Sequence, residues 1–351
     1  MTVNIPVATI HLDNIRANYE YARTLAPNSK CMPVIKANAY GHGMGEVASV
    51  LYDADAFAVS RVEEAVKLRQ IQPDKLIVVL EGFLDQSELD LCIHHHIIPF
   101  IHSEYQLARL PEKLPYWLKF NTGMFRLGFS MEDAEALSKR VPQTSLLGIC
   151  SHFANSDRPD NARNVEQMNQ FDVIASRFSD VPQCIANSGA VIGLAASHRD
   201  WTRPGIMLYG GSPDGVINEN LKPGMTLRAP VLAVDQVKEG DSIGYGSTWT
   251  ANEKSRVAIV ALGYADGYPR EMPTGTPVLV LGQRRQLVGR VSMDMCAVLL
   301  KDQDELNPGD WVTFWGEGLP IDEIASQLGT ISYTLTTGVR SRVKRDFRGG
   351  R

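Results

Sequence analysis

A lysine that closes a buried apolar run has the most chemistry to offer in this sequence. Lys36 lies in the run CMPVIKA (31–37) and is followed by NAYGHG. An ammonium is costly in apolar surroundings. Burial therefore lowers the pKa of the amine and leaves it nucleophilic, which Schiff-base chemistry requires. Taken alone, Lys36 fits better a lysine that snorkels from a strand end to water. Other polar residues end similar runs. Lys119 and Asn121 end YWLKFN (116–121), His152 lies near the end of LLGICSHF (146–153), and Asn187 and Ser188 end QCIANS (183–188). Arg203 falls in TRPGIMLYG (202–210).

The elements that must position these residues are read from the runs themselves. AFAVS (56–60), LIVVLEG (76–82) and IIPFIHS (97–103) complete the set. Each run is continuously apolar and not alternating, which suits strands covered on both faces, as in parallel sheets. Between them lie helical patterns. RVEEAVKLRQ, SMEDAEALSKR and NARNVEQMNQFDVIASRF are rich in helix formers, and Ser130 with Glu132 and Asp133 offers the second a capped start. Strand candidates alternating with helices predict an α/β fold with a TIM-like (β/α)8 barrel. A doubly wound open sheet is the structural alternative. In a barrel the C-terminal strand ends share one rim, where active sites form. Lys36, Lys119, His152, Asn187, Ser188 and Arg203 would then meet, although they are far apart in sequence.

The texture changes after residue 220. LKPGMTLRAPVLAVDQV, DSIGYGSTWT, SRVAIVALGYADGY, TPVLVLG, QLVGRVSMDMCAVLL and WVTFWGE read as strands separated by Gly, Pro and Asp. IDEIASQL is the clear helical pattern there. We therefore expect a barrel over 1–223 and a mostly-β domain over 224–351, with the boundary at Pro223–Gly224. A length of 351 residues suits two domains.

Composition narrows the function classes. Hydrophobic residues make up 44% and charged residues 21%, the balance of a soluble globular protein. A formal net charge of -5 gives no reason to expect nucleic acid or an anionic membrane as partner. The first residues lack the basic and apolar segments of a secretory signal, so a cytoplasmic location is expected. The five cysteines (Cys31, Cys92, Cys150, Cys184 and Cys296) are odd in number and widely spaced. They read as small buried residues of a reducing compartment, not as a disulfide framework or a zinc knuckle. No metal is expected at His94 to His96, because adjacent residues on one element point in different directions.

VIKANAYGHG resembles the signature around the pyridoxal 5′-phosphate (PLP) lysine of alanine racemases. LKFNTGMFRLG, SHFANSD, ANSGA, RPGIMLYG, GYGSTW, GYADGYPR and GRVSMDM resemble further segments of that family, in the family's order. The resemblance runs from the first strand to about Arg342. It implies the same plan of barrel and β domain. It also implies that Lys36 carries PLP and that Tyr40, Ser188 and the backbone of Gly205 and Ile206 hold the phosphate. By the same resemblance Asn187 and Tyr209 would belong to the cofactor site, and His152 would pack near the pyridine ring. Arg203 would face the pyridine nitrogen. Arginine stays protonated, so it donates to that nitrogen without readily protonating it, which weakens the electron sink.

Racemisation needs an acid/base group on each face of Cα. The resemblance assigns Lys36 to one face and Tyr245, from the other subunit of a homodimer with shared sites, to the other. Lys36 would serve the D-enantiomer and Tyr245 the L-enantiomer. Arg126 would contact the substrate carboxylate or the PLP oxygen, helped by the backbone of Met293 of the partner subunit. Lys119 matches a lysine that is carbamylated in some members. Tyr264, Arg270, Arg290 and Asp294 match residues of a narrow substrate corridor that favours a methyl side chain. Two positions depart from the pattern. Asn121 stands where many members have Asp, and Ser341 stands where some have a tyrosine close to the phosphate.

The implied activity is interconversion of L- and D-alanine, feeding D-alanine to peptidoglycan; catabolic use of L-alanine is the other role open to it. Three other readings stay open: a racemase for serine or a broader set of amino acids, a PLP decarboxylase on the same plan, and a non-catalytic PLP carrier. The β domain with Tyr245 speaks against the carrier, which needs no second base.

Overall fold

The strand that opens the chain, β1 (Val7–His11), does not join the barrel. The computed structural model describes residues 5–141 and 143–350. Residues 16–208 form one compact unit, and the segment up to Ile15 packs with Tyr209 onward to form the other.

In the first unit eight parallel strands follow the apolar runs: β2 (Lys30–Cys31), β3 (Ala56–Val59), β4 (Leu76–Val79), β5 (Ile98–Ile101), β6 (Tyr116–Lys119), β7 (Leu146–Cys150), β8 (Gln183–Asn187) and β9 (Trp201–Arg203). Their order is β2-β9-β8-β7-β6-β5-β4-β3. A parallel bridge between Val34 and Ala58 closes the ring from β2 back to β3. The Ile35 N–H donates to the Ala58 carbonyl at 2.9 Å, and the Ala58 N–H to the Pro33 carbonyl at 3.0 Å. Closure removes the edges an open sheet would leave, so the barrel expectation holds and the doubly wound alternative falls.

The barrel is filled, not hollow. Trp117 from β6 meets Trp201 edge-on at 5.8 Å and Phe100 at 5.9 Å. Each large buried ring of this kind stabilises by about 1.5–3 kcal/mol. Gly148 on β7 makes room for the indole, because a Cβ there would lie 2.3 Å from the Trp117 ring. Gly148→Val would break this layer.

The second unit is antiparallel and mostly β. Its strands are β10 (Met225–Val237), β11 (Ser242–Ile243), β12 (Trp249–Thr250), β13 (Ser255–Val260), β14 (Pro277–Val280), β15 (Gln283–Val288), β16 (Cys296–Leu300), β17 (Trp311–Trp315) and β18 (Lys344–Arg348). The long β10 pairs with β17 through its first half and with β13 through its second. That makes β10-β13-β16-β15-β14-β17 a closed ring. Beyond it, β1 runs antiparallel to β10 and parallel to β18. The alternating strands β13, β15 and β16 point Val257, Val288 and Ala297 into one core cluster. The ribbon of β11 and β12 stands apart from the ring and carries the turn with Tyr245.

All five cysteines are free and buried. Among the described residues no helix is long and apolar enough to cross a membrane.

Candidate active site at the barrel rim

Lys36 follows the Val34 bridge that closes the barrel, and the backbone after it is unusual. Ala37, Asn38, Ala39 and Tyr40 have φ of 52°, 54°, 54° and 53°, a left-handed turn built from residues with side chains. Each such residue costs about 1–2 kcal/mol, because Cβ crowds the following carbonyl. Strain of this kind persists only where the surroundings enforce it. Here the Ala37 N–H donates to Glu64 Oε1 at 2.6 Å. The Met44 N–H donates to Asn38 Oδ1 at 2.9 Å, and the Gly41 N–H to the Ala37 carbonyl at 3.0 Å. Lys36 is thereby set at the start of a turn whose geometry is over-determined. Burial pushes its amine below the ordinary lysine range, and the positive charge of Arg126 adds to this, against opposing pulls from Glu81 and Glu64. The neutral, nucleophilic amine is favoured accordingly.

Two hydroxyls and a glycine converge next to it. Ser188, buried at the end of β8, accepts from the Gly205 N–H at 2.7 Å and the Met207 N–H at 3.4 Å. Asn187, just before it, caps the following helix by accepting from the Ala190 N–H at 3.2 Å. It also accepts from the Ser156 hydroxyl at 2.7 Å. The Tyr40 hydroxyl lies so close to Gly205 that a Cβ there would be 2.6 Å from it. Burial holds the Tyr40 phenol above its usual range, so it stays a donor. Ile206 opens the short 3-10 turn Ile206–Tyr209, and Tyr209 is buried.

Arg203 ends β9 and is only 4% exposed. Its guanidinium donates to the Ser151 carbonyl at 2.6 Å, to the Cys184 carbonyl at 3.2 Å and to the Cys184 Sγ at 2.8 Å. It lies over the Phe100 ring at 5.9 Å and 3.4 Å from His152 Nδ1. Burial, then the charges of Arg203, Arg126, Lys119 and Lys36, hold the His152 imidazolium far below its usual range. The ring is therefore neutral. Asn187 Nδ2 stands 3.4 Å from its Nε2. A neutral imidazole has one acceptor nitrogen, so only one of the two neighbours can donate to it.

Lys119, at the end of β6, is 9% exposed, and burial lowers its pKa more than any other cause. The loop after it is pinched at its base, where the Asn121 N–H donates to the Phe129 carbonyl and the Phe129 N–H to the Lys119 carbonyl, both at 2.9 Å. Asn121 Oδ1 accepts from the Gly123 and Phe125 N–H groups at 3.1 and 2.9 Å. At that position the side chain shapes the loop. Arg126 sits exposed at the tip, between Phe125 and Leu127 with φ of 54° and 59°.

The rim is thus rich in cations and poor in carboxylates. Among the described residues, no ion pair involves Lys36, Lys119, Arg126 or Arg203. Buried or half-buried positive groups without acid partners are costly in a bare protein. Such a rim fits an anionic ligand that also presents a carbon able to react with an amine.

The remaining expected residues lie in the second unit. Tyr245 sits in a turn flanked by Gly244 and Gly246, with φ of 74° and 76°, and its side chain is 70% exposed. A Cβ on Gly246 would stand 3.3 Å from the Arg290 guanidinium, which places Arg290 beside the Tyr245 turn. The Tyr264 N–H donates to the Ser292 carbonyl at 3.1 Å and the Ala265 N–H to the Met293 carbonyl at 2.9 Å. Asp294 pairs with Arg342 at 2.8 Å, and Arg342 also pairs with buried Asp266 at 2.9 Å. Tyr264, Met293 and Asp294 are therefore brought together. Arg270 is exposed past Pro269 and makes no hydrogen bond to them among the described residues. Ser341 lies exposed in a turn.

Three contributors were not singled out from sequence. Glu64 holds the turn after Lys36, and Cys184 braces Arg203. Gln167 ties β6 to β7, donating to the Thr122 hydroxyl at 3.2 Å and the His152 carbonyl at 3.0 Å. The only signal for Glu64 was the helix start RVEEA, which offers Glu63 equally.

Comparison with known proteins gives the family of the whole chain. The family described as alanine racemase, N-terminal domain, matches residues 10–213, and alanine racemase, C-terminal domain, matches 224–347. The alanine racemase of Chromohalobacter salexigens is 45% identical over 355 residues, covering 97% of each chain. A biosynthetic alanine racemase of Escherichia coli is 42% identical, over 94% of this chain and 95% of its own. The crystal structure of the biosynthetic alanine racemase of Pseudomonas aeruginosa superposes with a TM-score of 0.93 at 41% identity, over 99% and 100% of the chains. A structure from Bartonella henselae with covalently bound pyridoxal phosphate gives 0.91 at 29% identity, over 98% and 99%.

Proposed function

Because the chain belongs to the alanine racemase family, we propose that it interconverts L- and D-alanine with PLP carried on Lys36. The carrying observation is the rim itself. An amine held below the usual lysine range stands near a cradle of two hydroxyls and a glycine backbone, among cations that form no ion pair among the described residues. These residues fit the cofactor. Ser188, Tyr40 and the backbone of Gly205 and Ile206 would hold the phosphate, with Asn187 and Tyr209 behind them. Arg203 would face the ring nitrogen, and neutral His152 would pack beside the ring. PLP, when bound, supplies an electron sink that lowers the cost of removing the Cα proton.

The rest is the work of the chain's own side chains. Lys36 Nζ takes or returns the proton on one face of Cα. The phenol oxygen of Tyr245 of the partner subunit does so on the other. The exposure of Tyr245 and of Met293, at 70% and 53%, supports this reading, since both are accessible to a second chain. The active form is then a homodimer. Arg126 orients the substrate carboxylate, and a carbamylated Lys119 supplies the anion that orients Arg126. Tyr264, Arg270, Arg290 and Asp294 line the corridor and keep out side chains larger than methyl. Along the sequence we place the boundary between the two family segments at Pro223–Gly224, in keeping with the two family matches, although the compact units divide after Ile15 and after Leu208. The product serves peptidoglycan synthesis in the cytoplasm, in keeping with the biosynthetic relatives.

The test is a racemase assay on PLP-loaded protein with L-alanine, L-serine, L-lysine and L-arginine, followed by chiral chromatography. Dominant turnover of alanine that disappears in Lys36→Ala is the expected result. Dominant turnover of a larger amino acid would overturn the alanine assignment, and no turnover at all would overturn the racemase.

A further inference from the structure

We propose that Glu64 is a positioning residue whose carboxylate clasps the left-handed turn 37–40 to the barrel and so fixes where Lys36 presents its amine. The proposal deepens the racemase reading, but its geometric half does not depend on it. Glu64 Oε1 accepts from the Ala37 N–H at 2.6 Å. Glu64 Oε2 accepts from the N–H groups of Ser60 at 3.0 Å and Arg61 at 3.2 Å. Ala37 follows Lys36 directly, and Ser60 follows the last residue of β3. One carboxylate therefore joins the backbone after Lys36 to the backbone after the neighbouring strand.

The chemistry of the turn requires such an acceptor. The first N–H groups of a helical turn have no partner within it. Ala37 is the first left-handed residue, so its N–H is one of these. A carboxylate bound by backbone N–H groups is a strong, charge-assisted partner. Gln at this position keeps the reach but has one oxygen, and its amide group would face an N–H. Asp is a methylene too short to serve both sides. The adjacent Glu63 points elsewhere and pairs with Lys67 on the exposed face. With the clasp released, residues 37–40 relax toward right-handed backbone and carry Lys36 with them.

The experiment compares PLP-loaded wild type with Glu64→Gln, Glu64→Ala and the control Glu63→Gln. Hydrogen exchange read by mass spectrometry reports the turn without any substrate. Loss of a hydrogen bond to a charged group corresponds to about tenfold or more. We expect peptides covering 36–43 to exchange at least about tenfold faster in Glu64→Ala, by less in Glu64→Gln and at the wild-type rate in Glu63→Gln. Acceleration confined to 60–65 would show that Glu64 only caps its own helix, and would overturn the proposal. If Glu64→Ala does not fold, Glu64→Gln decides by the same comparison. The second readout is the split between kcat and KM for alanine. Misplacing the amine lowers kcat by about tenfold or more while KM moves little. An unchanged kcat with faster exchange would overturn the positioning role. A wild type without racemase activity would sink the racemase reading and leave the exchange comparison to decide the clasp.

Discussion

The two units treat buried cations in opposite ways. In the second unit Arg285 is 7% exposed and sits against Asp304 at 5%. Both guanidinium edges are used, and Asp304 also accepts from the Lys301 N–H at 2.8 Å. Nearer the surface, exposed Arg342 pairs with buried Asp266 and with Asp294. At the barrel rim, Lys119 and Arg203 are as deeply buried as Arg285, and among the described residues no carboxylate pairs with them. A paired buried charge is architecture, because its cost is met inside the chain. An unpaired group of them is destabilising until an anion arrives. The contrast marks the rim as the place where a ligand completes the structure.

Substitutions can break or sharpen that contrast, beginning with the largest effect. Lys36→Ala removes the reactive amine, and racemisation followed by chiral chromatography should fall by at least about 10⁴-fold. Activity within tenfold of wild type would remove Lys36 from the chemistry. Tyr245→Phe should cost about 10²–10⁴-fold in the same assay. Its melting temperature should stay within about a degree, because the side chain is largely exposed on its own chain and only one hydroxyl is removed.

Asp304→Ala leaves Arg285 buried and unpaired, so denaturant unfolding should show a loss of about 3–5 kcal/mol. The same kind of change has the opposite sign at the rim. Lys119→Met, compared with unloaded and uncarbamylated protein, removes a buried amine that forms no ion pair among the described residues and should raise stability by about 1 kcal/mol, a rise of about 2–4 °C in Tm. A fall in Tm would mean that Lys119 has a partner in solution. The smallest effect is a pH slope. The folded pKa of His152 lies below that of the unfolded chain, so the unfolded state binds more protons as the pH falls below 6.5. Stability is present in full above 6.5 and declines below it. His152→Gln should flatten that part of the profile, measured by unfolding between about pH 7 and pH 5.

Much of the fold was legible because parallel strands buried on both faces are continuously apolar. All eight barrel strands overlap the runs, from β2 to β9. Residues 7–11 fall within the 1–223 expected for the barrel, yet β1 pairs Val7 with Arg228 and Lys344. Its partners lie more than two hundred residues away, and no local pattern announces them. The rim residues were legible by type and place, as polar groups at strand ends. The Glu64 clasp was not, because RVEEA offers two adjacent glutamates and only the direction of the helix face separates them.

The sequence by itself determined the alternation of strands and helices, the lysine at a strand end and the motifs that name a family, since these depend on residue type and spacing. Tertiary structure alone decided the left-handed turn at 37–40, whose residues Ala, Asn, Ala and Tyr have no need of it, and the absence, among the described residues, of ion pairs to the rim cations. Both depend on what lies across space: a carboxylate from the helix after the next strand in the first case, and, among the described residues, the lack of an ion pair in the second.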